Sequence, residues 1–200
     1  MKKSLSLVAL AALLFSCEPA RSTHPLSDPE VAKPDARLTG LWTGFAHDGD
    51  PATLEILPRG AGAAFDLVLI GDDGDKGAFV VQFEGFPSTI AGRTYLNLRP
   101  KIAQGEFADP APKVSETYLF ARYEIAKNGE LTFWTTKEDV VKAAVTSKTL
   151  EGAIDHDDVK ITDSSAKLAA WIEKAPESLW SKFGTFKKLS PLRGSNAPKK

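Results

Sequence analysis

The sequence predicts an α+β domain built on a meandering antiparallel sheet, with two helices in its C-terminal half. Three observations support this prediction: short runs of alternating apolar and polar residues, turns rich in Gly and Asp between them, and a change in the apolar spacing after residue 136. The pattern leaves two arrangements open, an open sheet and a partly closed β-barrel of about eight strands.

The first half of the domain consists of closely spaced strands. Five are predicted: Leu41–Ala46, Thr53–Leu57, Ala64–Ile70, Ala78–Phe86 and Arg93–Leu98. The connections between them are rich in Gly, Asp and Pro, which favour turns over regular structure. Strands this short and this close together are typical of an antiparallel meander.

The second half adds a hairpin and then helices. Residues 99–115 contain three prolines and predict a surface loop. Asn128-Gly129 predicts a tight hairpin turn, because both residues readily adopt the positive φ that such turns need. The further predicted elements are strands Thr117–Ile125 and Glu130–Thr135, a helix from Lys137 to about Ser147 capped by Thr136, a strand Asp158–Thr162, a helix capped by Asp163 or Ser164 and ended by Pro176, and a last strand Phe183–Leu189.

The predicted strands carry one polar and one apolar face. The polar set is Glu55, Asp66, Gln82, Glu84, Asn97, Arg122 and Glu124, and the opposing apolar set includes Leu54, Phe65, Phe83, Leu96 and Tyr123. In an open sheet the polar side chains would face water. In a closed barrel one of the two sets would line the interior.

The N-terminus has the features of a bacterial export signal. Lys2 and Lys3 precede an apolar run, Leu5–Phe15, which is too short to span a bilayer. The run ends in Leu14-Phe15-Ser16-Cys17, which resembles the lipobox of bacterial lipoproteins. The resemblance implies that residues 1–16 are a signal peptide and that Cys17 carries a lipid such as palmitate.

The same resemblance implies a location and a division of the chain. Because Glu18 rather than Asp follows the cysteine, it favours the periplasmic face of the outer membrane. Residues 17–37 hold four prolines among polar residues and predict a tether that lifts the domain off the membrane. The domain itself is predicted over 38–189, and the polar, basic residues 190–200 are predicted to be disordered.

Two further resemblances concern the domain. Gly40-Leu41-Trp42 is similar to the Gly-x-Trp motif of lipocalins, which implies an up-and-down barrel with a late basic residue packed on the Trp; Lys187 and Lys188 lie nearest to that position. A core tryptophan near a turn is the simpler interpretation. The segment 118–189 resembles a group of uncharacterised bacterial envelope lipoproteins, which implies a shared fold and no particular activity.

Composition excludes several function classes. Removal of Lys2 and Lys3 leaves 23 basic against 26 acidic residues, a net charge of −3, which argues against nucleic-acid binding. Cys17 is the single cysteine, so an intramolecular disulfide and a cysteine-based zinc site are excluded.

No catalytic, cofactor or metal site is predicted. The acidic loop Gly71–Gly77 places Asp73, Asp75 and Glu84 at calcium-loop positions, but Gly77 and Ala78 occupy positions where a ligand and a Gly belong. Asp155-His156-Asp157-Asp158 is interpreted as a solvated turn. Only His47 and His156 are available in the domain as histidine bases, and no serine lies in a Gly-x-Ser-x-Gly motif.

Three hypotheses about function follow. The favoured one is a non-catalytic binding or scaffolding lipoprotein of the envelope that takes a protein partner. The alternative is a lipocalin-like carrier of a small apolar or amphipathic ligand. A hydrolase, the third, would require His47 or His156 in a cleft beside a hydroxyl group or a metal.

Overall fold

A computed structural model describes residues 20–46, 49–72, 77–102, 113–156 and 158–189. The strands in these ranges are β1 (Arg21–Ser22), β2 (Gly40–Phe45), β3 (Pro51–Pro58), β4 (Phe65–Asp72), β5 (Ala78–Ile90), β6 (Arg93–Ile102), β7 (Lys113–Val114), β8 (Leu119–Ile125), β9 (Glu130–Thr136), β10 (Gly152–Asp155), β11 (Asp158–Ile161) and β12 (Trp180–Lys188). The helices are α1 (Glu138–Thr146) and α2 (Ser165–Lys174). No helix in these ranges is long and apolar enough to cross a bilayer.

Eight strands close into an antiparallel barrel. The order around the wall is β2-β3-β4-β5-β6-β8-β9-β12, and β12 returns to pair with β2 from Thr185 opposite Phe45 to Lys188 opposite Trp42. Of the two predicted arrangements, the structure therefore shows the closed barrel. We call the end where β2 stops, at Phe45, the upper end, and the end where β2 starts, at Gly40, the lower end.

The apolar set of alternating residues fills the barrel interior. Trp42, Leu96, Leu131 and Phe186 have almost no exposed surface, and they belong to one continuous cluster with residues of every barrel strand. Glu55, Gln82 and other members of the polar set point outward, because alternation places them opposite the core residues. The interior is thus a packed hydrophobic core.

A second layer covers part of the outer wall. The two helices and a three-stranded sheet, ordered β1-β11-β10, enclose a second hydrophobic cluster against the outer face of β6, β8 and β12. Tyr95, Phe120 and Trp180 belong to the barrel strands but face this layer. Asn97, a member of the predicted polar set, points outward from the barrel. It is completely buried because this layer covers it.

The described part of the predicted tether, residues 20–37, is held against the domain at several points, although residues 28–31 are exposed. β1 pairs in parallel with β11, and Ala20, Ser22 and Leu26 are buried. The Leu26 N–H donates to the Asn97 side chain at 2.6 Å. The sequence shows no apolar periodicity here because only single residues are buried. Each of them occupies a site formed by strands that are distant in sequence.

Several predicted boundaries are also corrected. Thr136, the predicted cap of the first helix, is the last residue of β9, and Lys137 occupies the N-cap position without a side-chain hydrogen bond. Ser164 lies at the N-cap of α2, whereas the Asp163 carboxylate accepts from the Glu151 N–H at 2.6 Å. β12 begins at Trp180, three residues before the predicted start.

Candidate functional site

The lower end of the barrel is closed by contacts around Trp42. The Lys188 ammonium lies 5.3 Å from the centre of the Trp42 ring, within cation–π range. The Trp42 indole N–H donates to the Leu38 carbonyl at 2.8 Å, and Lys188 Nζ donates to the Arg37 carbonyl at 3.2 Å. Of the two late lysines named in the sequence, Lys188 therefore packs on the Trp. This arrangement seals the barrel end.

A partly buried carboxylate completes the same closure. Asp35 accepts two hydrogen bonds from the Arg37 guanidinium, at 2.9 and 2.7 Å, and one from the Tyr123 hydroxyl at 3.0 Å. The Arg37 hydrogen bonds hold the pKa of Asp35 below its ordinary value, against the opposing effect of burial. Burial, reinforced by the Asp35 charge, raises the pKa of the Tyr123 hydroxyl. These groups fix the segment 32–38 across the lower end.

An open groove lies on the wall where β2 and β12 meet. β12 pairs with β2 only from Thr185 onward, and its register against β9 shifts between Lys182 and Gly184. The groove has a volume of about 730 Å³. It is lined by Thr43, Gly44, Phe45, Ala46, Gly49, Pro51, Glu130, Lys182, Phe183, Gly184, Thr185 and Lys187.

Two glycines keep the strands close at this groove. A Cβ on Gly44 would collide with the backbone oxygen of Thr185, and a Cβ on Gly184 would collide with the backbone oxygen of Phe45. The two glycines therefore allow the backbones of β2 and β12 to approach each other closely at this point.

The groove combines apolar surface with charge. Phe45 is 63% exposed at its rim, and Pro51 and Phe183 add apolar area. Lys182, Lys187 and Glu130 contribute charged groups. No histidine, cysteine or serine is present among the described lining residues. This composition suits binding of an apolar segment flanked by polar groups.

The outer face of β4–β6 carries a network of ion pairs. Glu84 pairs with both Arg59 and Arg99, and Asp66 pairs with Arg59 and Lys101. Glu84, which falls at the twelfth position of the calcium-loop spacing that the sequence does not satisfy, is thus paired with two cations. Opposite charges paired across neighbouring strands stabilise a sheet surface modestly.

The remaining sequence candidates lie apart from the groove. The His156 side chain is 96% exposed in the turn between β10 and β11, and its Nε2 lies 3.8 Å from Asp155. In the described ranges there is no group of three or more His, Cys, Asp or Glu residues that could hold a metal ion. Cys17, His47, the pair Asp73 and Asp75, and Asp157 lie outside the described residues.

One aromatic cluster was not anticipated from the sequence. The Arg122 guanidinium lies between the rings of Trp134 and Trp180, at 4.7 and 5.4 Å from their centres, and forms an ion pair with Glu177. Alternation placed Arg122 on the outer face, but nothing local in the sequence indicated that Trp180 would cover it. The cluster fastens the segment between α2 and β12 to the wall.

Comparison of the chain with models of protein families, with curated proteins and with solved structures finds no match.

Proposed function

We propose that the protein is a lipid-anchored, non-catalytic binding module of the cell envelope, and that its partner is a protein bound in the groove between β2 and β12. The observation that carries the proposal is the groove itself, with the exposed aromatic ring of Phe45 at its rim. The Leu14–Cys17 motif supports the anchor. Binding sites in proteins commonly combine an exposed aromatic residue with flanking charge in this way.

The packed interior favours a protein partner over an enclosed ligand. A small-molecule site normally buries most of its ligand's surface. Core side chains such as Trp42, Leu131 and Phe186 occupy the barrel interior, whereas the groove is open to solvent. A protein segment laid in the groove would cover Phe45 and Pro51 with its own surface and exclude water from both sides.

Site-specific photocrosslinking in cells tests the partner. A photoreactive phenylalanine analogue at Phe45 should give a covalent adduct of one defined mass. The same analogue at Leu57, which is exposed at the lower end of β3, should give none. The Lys182→Glu variant should weaken the Phe45 adduct, because it reverses a charge in the groove. Equal crosslinking at both positions, or none at Phe45, contradicts the proposal.

The anchor is tested separately. Cys17→Ser should leave an unprocessed precursor without a lipid, because the modified thiol is removed. Mass spectrometry of the wild-type protein from membranes should show the added acyl chains on Cys17. Normal processing and membrane retention of the Ser variant would refute lipid anchoring at this residue.

A carrier of a small amphipathic ligand is the second candidate. The groove volume of about 730 Å³ lies within the range of small-molecule sites. Native mass spectrometry of an unlipidated chain beginning at Glu18 distinguishes the two candidates, since this chain retains the packed residues 20–37. A reproducible added mass of a few hundred daltons that is lost on denaturation would favour the carrier.

A further inference from the structure

The small sheet of the covering layer has an open edge at β10. In the order β1-β11-β10, β1 has a neighbour on both sides, because Ser22 also pairs with Tyr118. β10 pairs with β11 alone, and all four of its residues are exposed. In the described part of the chain, the other strand with a single neighbour is β7, which has two residues. β10 is therefore the longer of the two open edges.

Two residues of β10 direct their backbone groups to this edge. The Thr162 N–H donates to the Glu151 carbonyl at 2.9 Å, so Glu151 faces β11. Backbone groups alternate between the two sides of a strand, so Gly152 and Ile154 face away from β11. Their N–H and C=O groups have no hydrogen-bond partner among the described residues. Four backbone groups are thus available to another extended chain.

The neighbouring helix covers a face of β10 rather than its edge. A Cβ on Gly152 would lie 3.2 Å from Val145 Cγ2, so α1 packs on the face to which that Cβ would point. Ile154 shares this face and is still 37% exposed. Lys142, also on α1, donates to the His156 carbonyl at 3.4 Å, in the turn beyond β10. A chain laid beside β10 would therefore cover part of the Ile154 side chain.

Charge argues against a second copy of this chain as the occupant. A two-fold antiparallel pair that uses all four backbone groups joins Gly152 to Ile154 of the second copy. The same register places Asp155 opposite Glu151 of the second copy, and it does so twice. Like charges directly opposite each other destabilise a strand pair. The edge therefore suits a different chain.

Asp155 gives one end of the edge a negative charge. Its side chain is 93% exposed, and it lies opposite Asp158 in the β10–β11 pair. Its ion-pair contact among the described residues is with the adjacent His156 ring, at 3.8 Å. Glu151, at the other end, is by contrast paired with Lys167 at 2.6 Å. A basic residue of a partner chain beside Asp155 is therefore favoured.

We propose that β10 is a docking edge for an extended segment of a partner protein, which pairs with it in antiparallel orientation. The segment carries a basic residue opposite Asp155 and an apolar residue opposite Ile154. Main-chain hydrogen bonds supply the attraction, and these two side chains supply the specificity. β10 contributes no residue to the groove between β2 and β12, so the inference does not depend on the partner proposed for that groove.

Two peptides test the edge: acetyl-Thr-Lys-Ile-Thr-Val-Thr-amide, and the same peptide with Glu in place of Lys. Each is titrated into the isotope-labelled, unlipidated chain that begins at Glu18 and contains every described residue. The NMR amide signals of Gly152 and Ile154 should shift more than that of Ala153, whose N–H faces β11. The Lys peptide should bind about fivefold more tightly than the Glu peptide, because only its charge complements Asp155.

Matched changes in the peptide separate strand pairing from other contacts. In the proposed register the N–H of the peptide Ile faces β10, so N-methylation of that residue should abolish the shifts. The N–H of the next Thr faces away, so its N-methylation should change the affinity by less than about twofold.

Matched variants of the protein test the charge. Asp155→Lys should reverse the preference, so that the Glu peptide binds more tightly. Glu124→Lys, an exposed position on β8, should leave the preference as in the wild type.

Four results would overturn the proposal. Absence of shifts at Gly152 and Ile154 with both peptides, or equal losses from the two N-methylations, excludes pairing at this edge. Equal affinity of the two peptides excludes recognition by Asp155. Shifts at Phe45 without shifts at β10 place the peptide in the groove instead. Shifts at β10 that depend on protein concentration, without peptide, identify a second copy of the chain as the occupant.

Discussion

Gly40 determines whether Trp42 and Lys188 can meet. Its φ is +130°, a conformation that L-residues with a side chain rarely adopt, and an added Cβ would lie 2.7 Å from Lys188 Cε. The glycine of the Gly-x-Trp motif thus allows the positive φ at this position and leaves space for the Lys188 side chain. The motif and the two late lysines are readable without coordinates, and the structure shows that Lys188 makes the contact.

Gly40→Ala should destabilise the domain by about 1–3 kcal/mol, because it introduces backbone strain and displaces Lys188 from the ring. Urea denaturation of the unlipidated chain measures the change. Gly60→Ala is the matched control: Gly60 also has a positive φ, +66°, but an added Cβ there meets nothing within 4 Å. It should cost only about 1 kcal/mol. Equal losses in both variants would contradict the steric argument.

Asp35 makes the stability of the lower end depend on pH. The Arg37 hydrogen bonds lower its pKa in the folded protein, so its stabilising effect is fully present above 3.8, the value taken for the unfolded chain. The effect is lost as pH falls through the lower folded-state pKa. The exposed position of Arg37 weakens the pair by solvent screening, and hydrogen bonding carries most of the effect.

Asp35→Asn should therefore destabilise the domain by about 1 kcal/mol at pH 7, because it removes the charge-assisted hydrogen bonds. The difference from the wild type should shrink as pH falls below 3.8, where the wild-type carboxyl becomes protonated. Urea denaturation at a series of pH values measures it. Glu124→Gln, an exposed carboxylate on β8, is the control. A difference that does not change with pH would contradict this account.

At the scale of elements, Asn97 connects the N-terminal segment to the barrel. Its side chain accepts from the Leu26 N–H and donates to the Ser88 hydroxyl at 2.7 Å and the Phe86 carbonyl at 3.3 Å. All these partners are at least partly buried, so loss of the amide would leave several polar groups unsatisfied. Asn97, on β6, therefore connects the N-terminal segment to β5 as well as to its own strand.

Asn97→Ala should destabilise the domain by about 2–3 kcal/mol. It should also release the N-terminal segment, so that trypsin cleaves after Arg21 faster than in the wild type. Limited proteolysis followed by mass spectrometry measures the rate. Asn128→Ala, in an exposed turn, should leave that cleavage unchanged. Protection of Arg21 in the Asn97 variant would show that this contact does not hold the segment.

Elements with a local signal were predictable, and those defined by distant pairing were not. The barrel strands and both helices follow apolar periodicity and turn residues, so their existence was read from short windows of sequence. β1 has two residues and exists because it pairs with β11, about 140 positions later. β10 was missed for a different reason: it pairs with β11, the next strand in sequence, but all four of its residues are exposed and carry no burial pattern.

At the scale of the whole molecule, the sequence did not determine whether the sheet closes into a barrel. Alternation specifies an inner and an outer face but not the curvature that brings β12 back to β2. The groove was also not predictable, since it arises where those two strands separate near Thr185. Burial of Ala20, Ser22 and Leu26 has the same origin, because their binding sites are assembled from β6, β8 and β11.

The pairing of β2 with β12 also orders events in folding. Trp42 can meet Lys188 only after almost the whole domain has been synthesised, since the two lie at opposite ends of it in sequence. Contacts between such distant residues close large loops and slow the folding rate. A chain that lacks β12 therefore leaves β2 and β9 without the strand that joins them, so the barrel stays open along that side.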